Sequence, residues 1–458
     1  MSYDSFLSIL GVVLIPVAVW WMWQPASRTT RVLGLVLIAF FGQGSAELAG
    51  FNATILRYLF ELPLAAWYLS QVLRGGIKHT PGGKWMLAFM IASVPATFYT
   101  SGMMYVLFVL QYMNIFMAFY CFYHARIPER ERQLLVRLTV WLCVSQFFAA
   151  VLKFGIVGIM EPYIGSMSSH AGGITTLFSL AGFTACLLVW FCSRRKSMLW
   201  MCVGFIIFGL VGEKRALVFM IPVSYFICFL MYSRLSRVPS LRILRNLTVG
   251  IILAPVLFYV MVRVHPSFNR ERKVWGEFDL EYTLNYADKY NSGAMAGDDK
   301  IGRAEALGHF QKHLSQAPTL NLLFGYGTGL LVQSGYNKDI GRGKGGVEKY
   351  ALRRWGIGYA MSIGFLSMIA QVGVIGLAMY LMIWMSWLIA LYRMLRRSGR
   401  NTGSRAVQMC YVALACVVCC IFLSAIYNNA ALILNPASCA IMFLLAEAMR
   451  LKQKTLKQ

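Results

Sequence analysis

Acidic residues are scarce in this chain: 458 residues carry 18 Asp and Glu against 43 Lys and Arg, and only 13% are charged. A soluble protein carries about a quarter charged residues, so a water-covered globule is excluded. Fixed-period repeats and low-complexity tails are lacking, which removes solenoid and disordered classes. No G-x-S-x-G, H-E-x-x-H or phosphate-binding P-loop occurs, and no spaced carboxylate pair stands out as a glycosidase dyad. None of the eleven cysteines falls between residues 265 and 358. A disulfide scaffold there is excluded, and no Cys/His cluster marks a zinc or redox site.

What is abundant is hydrocarbon. The chain is 58% hydrophobic, and apolar runs long enough to cross a core of roughly 30 Å as helices recur from end to end. Closed barrels would show weakly alternating segments instead. The first run, Phe6 to Trp23, lacks a positive n-region and a small-residue cleavage site and reads as a retained helix. The expected spans are 5–23, 32–46, 54–72, 86–99, 103–123, 134–154, 173–192, 198–212, 216–233, 247–264, 362–392, 406–426 and 430–448. The fold class is therefore an all-α polytopic membrane protein of about 12–14 transmembrane helices. It divides into helices 1–264, one large loop 265–358, and C-terminal helices 359–458.

A net charge of +25 would suit nucleic acid, but its distribution does not. Alternate connections hold 24 of the 43 basic residues, from Arg28 and Arg31 through Arg194, Arg195 and Lys196 to the terminal Arg450, Lys452, Lys454 and Lys457. Positive-inside bias puts these segments and the C-terminus in the cytoplasm, and the large loop on the other side.

On that topology one outer turn is anomalous: Gly212-Glu213-Lys214-Arg215-Ala216, a charged tripeptide between two apolar helices. Arg57 and Glu61, early in the third span, and Lys153, late in the sixth, fall near the same level. Charge at membrane depth usually faces a bundle interior or aqueous cavity and marks function. The structural alternative is an ion pair, Glu213–Arg215 or Arg57–Glu61, that only holds helices together. Guanidinium groups at a membrane boundary suit planar, bidentate capture of phosphate, at the depth of a lipid diphosphate.

The large loop is nearly charge-balanced, with 13 Lys and Arg against 10 Asp and Glu. A helix is expected from Ile301 to about Ser315, ended by Ala317-Pro318. Leu323-Phe-Gly-Tyr-Gly-Thr-Gly329 follows, then the basic Gly341-Arg-Gly-Lys-Gly-Gly346, then Lys349, Arg353 and Arg354 against Trp355. Without a Walker lysine or preceding strand the first stretch is a poor nucleotide cradle. It reads better as a close-packed turn built around Gly325, Tyr326 and Gly327. Glu305, His309 and His313 share one helical face, which admits a metal or acid/base role or a merely solvated surface; Arg303 points elsewhere. Cytoplasmic connections are too short for a catalytic domain, so any chemistry is expected outside, with its energy carried by an activated substrate.

The charged turn, the large loop with Gly302-Arg303 and Leu323-Phe-Gly-Tyr-Gly-Thr-Gly329, and the re-entry Gly364-Phe-Leu-Ser-Met-Ile-Ala-Gln-Val-Gly-Val-Ile-Gly376 resemble the Wzy/O-antigen ligase superfamily over roughly residues 170–392. The resemblance implies a GT-C-like bundle in a bacterial inner membrane with a periplasmic active site. It also implies a glycosyltransferase that polymerises or transfers undecaprenyl-diphosphate-linked glycans (O-antigen, capsule or exopolysaccharide). By the same resemblance Arg215 is the diphosphate-holding arginine, supported by Lys214 and Arg303, and Gly325, Gly327 and Gly329 shape the loop floor. Arg57, Lys153, Tyr326, His309, Arg353 and Arg354 are further candidates for contact with the diphosphate or glycan. Glu213, Glu305 and His309 are candidate bases, and no metal or cofactor is expected. Ligases of the superfamily carry a histidine just before the re-entering helix; Ser362 occupies that position here, which favours a polymerase over a ligase. Lipid-linked glycans and the bilayer are the expected partners, with a chain-length regulator and a flippase of the same pathway. A ligase, a lipid-linked sugar transporter or flippase, and a non-enzymatic assembly or scaffold protein stay open as alternatives, the charged turn at Glu213–Arg215 arguing against the last.

Overall fold

The computed structural model describes residues 64–74, 80–125, 127–157, 172–212, 216–236, 258–266, 268–291, 302–331, 355–361, 363–397, 404–427, 429–433 and 435–455. Isolated positions such as Val32, Lys214, Ile252 and Ala351 are described between these stretches. Among the described residues there are helices and turns and no strand, as an apolar chain requires: in hydrocarbon, backbone polar groups must bond within their own segment.

The helices are α1 (Gly83–Ser93), α2 (Gly102–Tyr112), α3 (Asn114–His124), α4 (Glu129–Val157), α5 (Gly172–Ser193), α6 (Lys196–Val211) and α7 (Ala216–Ser236). The loop region contributes α8 (Leu280–Asn291), α9 (Arg303–Gln316) and the short α10 (Thr319–Phe324). Then come α11 (Gly364–Arg397), α12 (Arg405–Ile426) and α13 (Pro436–Thr455). Four of the described helices are long and apolar enough to span a bilayer, and a fifth span arises if α2 and α3 count as one. The expected span 5–23, nearly all of 32–46 and about half of 54–72 lie outside the described residues, and 247–264 is described only in part.

Two spans expected to be continuous are broken. The 103–123 span bends by 56° between α2 and α3. The 362–392 span carries a non-helical residue, Gly373, at φ 67° and ψ −172°. Hydropathy averages over a window and does not register a single residue's dihedrals, so neither break was foreseen.

At the centre, α5 and α12 pack side by side, flanked by α6, α7, α11 and α13. Thr184 of α5 and the Cys419 sulfur of α12 lie 3.0 Å apart. Helix association in hydrocarbon rests on close packing and interhelical hydrogen bonds. The eleven cysteines are all free; Cys416 and Cys419 have CxxC spacing but sit buried inside α12. An aromatic block locks α3 to α11: Phe116 meets Tyr380, Trp384 and Trp387 at centroid distances of 4.9, 5.7 and 5.4 Å.

At the Arg405 end of α12, charge is buried. Arg132 of α4 pairs with Glu129 and, at 2.8 Å, with Glu447 of α13. Arg450 reaches Glu447 at 3.5 Å. Burying such ions is tolerable only because each meets an opposite charge.

Candidate functional site

At the other end of α12 lies a cavity of about 300 Å³. Its walls come from four places in the chain: Ala216, Phe219, Met220 and Val223 of α7; Phe268, Tyr286 and Ala287 of the loop region; Arg303; and Phe422, Ile426 and Tyr427. It is apolar except at Arg303, whose guanidinium carbon stands 4.3 Å from the centre of the Tyr427 ring. Such stacking contributes about 0.5–2 kcal/mol and holds the guanidinium plane against a fixed wall.

Local sequence explains both partners. Gly302 caps α9 in extended geometry, so Arg303 is the first helical residue. Amide groups of a helix's opening turn carry partial positive charge, which adds to that of Arg303. Tyr427 ends α12 by leaving helical geometry at φ −124°, ψ −111°. Beyond the cavity, the α7 stripe continues: Phe219 and Val223 are followed by exposed Phe226 and Leu230 at helical spacing. A charged end thus joins an apolar outer surface.

The anomalous turn borders this cavity. Ala216, immediately after Arg215, is part of its wall. Lys214 is 2% exposed; its N–H donates to the Gly209 carbonyl, and its own carbonyl accepts from Leu217. Glu213 and Arg215 themselves lie outside the described residues, as do Arg57, Glu61, Arg353, Arg354 and Ser362. Lys153 is in α4, with its side chain outside the description.

The glycine stretch is a strut and not part of the cavity lining. Gly325, Gly327 and Gly329 have φ of 87°, 139° and 78°. A Cβ on Gly325 would strike the Gln371 carbonyl, and one on Gly373 the Leu323 carbonyl, so the two backbones lie directly against each other. The Tyr326 N–H donates to the Ala370 carbonyl at 2.8 Å, an acceptor that an unbroken helix would give to residue 374. Thr100 donates to the Thr328 carbonyl at 3.0 Å. The expectation of a close-packed turn is met, and its target is the break in α11.

The Glu305–His309–His313 face divides. Glu305 and His309 are exposed and take no part in the cavity wall. Among the described residues no group of three His, Cys, Asp or Glu could hold a metal. His313, half-buried, places its Nε2 2.6 Å from the Tyr326 hydroxyl, with the Tyr359 ring 5.7 Å away. Burial pushes the His313 pKa down and those of Tyr326 and Tyr359 up. This triad ties α9 to the strut and to the re-entry at Gly358–Met361.

Sequence reasoning missed Tyr427, Phe268 and Tyr286. For Tyr427 a signal existed: an aromatic at the end of an apolar run is a frequent boundary residue. Comparison with family models and with curated protein sequences returns no match for this chain.

Proposed function

We propose that this protein is a Wzy-type glycosyltransferase that polymerises undecaprenyl-diphosphate-linked repeat units on the periplasmic face of a bacterial inner membrane, its C-terminus cytoplasmic. The observation that carries this reading is the cavity whose polar end is Arg303 on Tyr427 and whose other end opens onto the exposed α7 stripe. A lipid diphosphate has the matching shape, an anionic head on an apolar tail. Arg215, one residue before the cavity wall, is assigned as the second cation.

The acceptor sugar hydroxyl attacks the donor's anomeric carbon. The bond to the diphosphate oxygen breaks, and the hydroxyl proton goes to a side-chain base or to the departing diphosphate. Charge builds on the leaving oxygens, so fixed guanidinium groups accelerate the step by stabilising it. Holding donor and acceptor together supplies the rest. Glu213, Glu305 and His309 are the base candidates; Glu305 and His309 take no part in the cavity wall, which favours Glu213 among them.

Purified protein incubated with a synthetic undecaprenyl-diphosphate oligosaccharide should produce a ladder of products; Arg215→Ala should abolish it, and Arg303→Ala should cut it roughly a hundredfold. Full-length ladders from both variants would end the assignment.

A second reading, a lipid-linked sugar transporter, gains from the two helix breaks, since broken helices mark many transporter sites. The break at Gly373 is filled by the loop backbone through Tyr326, which suits a rigid scaffold better than an ion site. Movement of labelled lipid-linked sugar across vesicles without any ladder would favour transport.

A further inference from the structure

Residues 263–277 form a knot organised by one side chain. Asn269 is fully buried. Its amide nitrogen lies 2.7 Å from the Lys273 carbonyl and 3.1 Å from that of His265, and its oxygen accepts from the Lys273 N–H at 3.1 Å. Arg263 closes the ring: its Nε donates to the Gly276 carbonyl at 3.1 Å, and its own carbonyl accepts from the Gly276 N–H at 2.9 Å. A Cβ on Gly276 would land on the Asn269 amide.

The knot holds two non-glycine residues in the left-handed region, Arg272 at φ 52° and Trp275 at φ 62°. For a bulky side chain this is a true outlier, a backbone strain that persists only where the surrounding structure enforces it. The strain does not serve packing, because Trp275 is 61% exposed and Val274 46%. Just beyond, α8 presents Leu280 and Leu284, four residues apart and also exposed, while Thr283 bonds back to the Phe268 carbonyl at 2.9 Å.

Placement says what covers them. The helix leading into the knot exposes Ile252, Val256 and Tyr259 along one face. Arg263, one turn after Tyr259, stacks on that ring at 5.9 Å and bonds Gly276, the neighbour of Trp275. The apolar outer stripe therefore runs into the knot. There it meets exposed Arg270, Arg272 and Lys273. Tryptophan beside cations at the end of a lipid-facing stripe is the composition of a membrane interface.

We propose that the 263–277 knot and the Leu280–Leu284 face of α8 form a membrane-interface anchor that seats Trp275 in the phospholipid headgroup layer. The anchor sets the height of the cavity wall made by Phe268 and Tyr286, since the same knot and helix carry both. It rests on the membrane assignment and not on the transfer chemistry.

The test uses the full chain in vesicles of phosphatidylethanolamine and phosphatidylglycerol. Trp275→Cys, Leu284→Cys and, as a water-facing reference on α9, Lys312→Cys are spin-labelled, with the unsubstituted chain as background. Relaxation by oxygen is compared with relaxation by a water-soluble nickel chelate. At 275 and 284 the oxygen-to-nickel ratio should exceed that at 312 by at least threefold. A ratio equal to that at 312 overturns the anchor. Shielding from both reagents also overturns it, in favour of a protein partner. If Trp275→Cys does not fold, Leu284→Cys alone decides by the same criterion.

Discussion

The guanidinium of Arg303, at the start of α9, stacks 4.3 Å from the ring of Tyr427, at the end of α12. This contact bridges the large loop and the membrane bundle, and it forms the polar end of the cavity. Arg303→Ala should cut chain extension by roughly a hundredfold, in line with loss of one preorganised charge-stabilising donor. Arg303→Lys keeps the charge but not the planar stack, and an intermediate rate is expected. Tyr427→Phe keeps the ring and should stay within a few-fold of the parent. Product ladders from a synthetic lipid-diphosphate donor measure all three.

Glycine has opposite effects at two positions. Gly373 at φ 67° lies against the Leu323 carbonyl. Gly373→Ala adds a left-handed penalty of about 1–2 kcal/mol to a steric clash, and a loss of at least ~2 kcal/mol is expected. Gly308, inside α9, would meet nothing with a Cβ, so Gly308→Ala should stabilise by about 0.5–1 kcal/mol. Thermal unfolding in detergent micelles reads both signs.

The His313–Tyr326 pair gives a pH dependence. Burial lowers the His313 pKa below its ordinary 6.5. The folded state therefore binds the proton less well than the unfolded state, and its stability is complete above pH 6.5. It falls as the pH drops through 6.5 toward the lowered value. Melting curves from pH 8 to pH 5 should show this fall in the parent and a shallower one in His313→Gln. Identical slopes would remove His313 as the source.

At the far end of α12, the Arg132–Glu447 pair is almost wholly buried on both sides. Glu447→Gln leaves Arg132 poorly compensated, and about 3–5 kcal/mol should be lost. Replacing both partners, Arg132→Met with Glu447→Leu, should cost less than Glu447→Leu alone, because the single change takes the partner from both Arg132 and Arg450 and the double change only from Arg450. A double-mutant cycle on unfolding free energy gives the difference.

Much of the helical frame was legible because its cause is local. A run such as Arg405–Ile426 is apolar along its whole length, and an apolar segment in lipid has no alternative to internal hydrogen bonding. Helix α9 was also legible: expected from Ile301 to about Ser315, it runs from Arg303 to Gln316 and stops at Ala317-Pro318. The glycines at 325, 327 and 329 announced a close approach without naming its partner.

The partner was decided by tertiary structure. Gln371 and Gly373 lie more than forty positions along the chain from Gly325, and no local propensity encodes that meeting. The break at Gly373 follows the same logic, because the conformation of one residue there depends on the loop backbone pressed against it. Tyr427 became part of the site only when α12 ended beside α9. Composition and hydropathy alone determined that the chain is helical and suited to a bilayer, since burial in lipid depends on each segment's own surface. Which charged side chain stacks on which ring, and where a cavity opens, depends on distances between segments, and those exist only in the folded bundle.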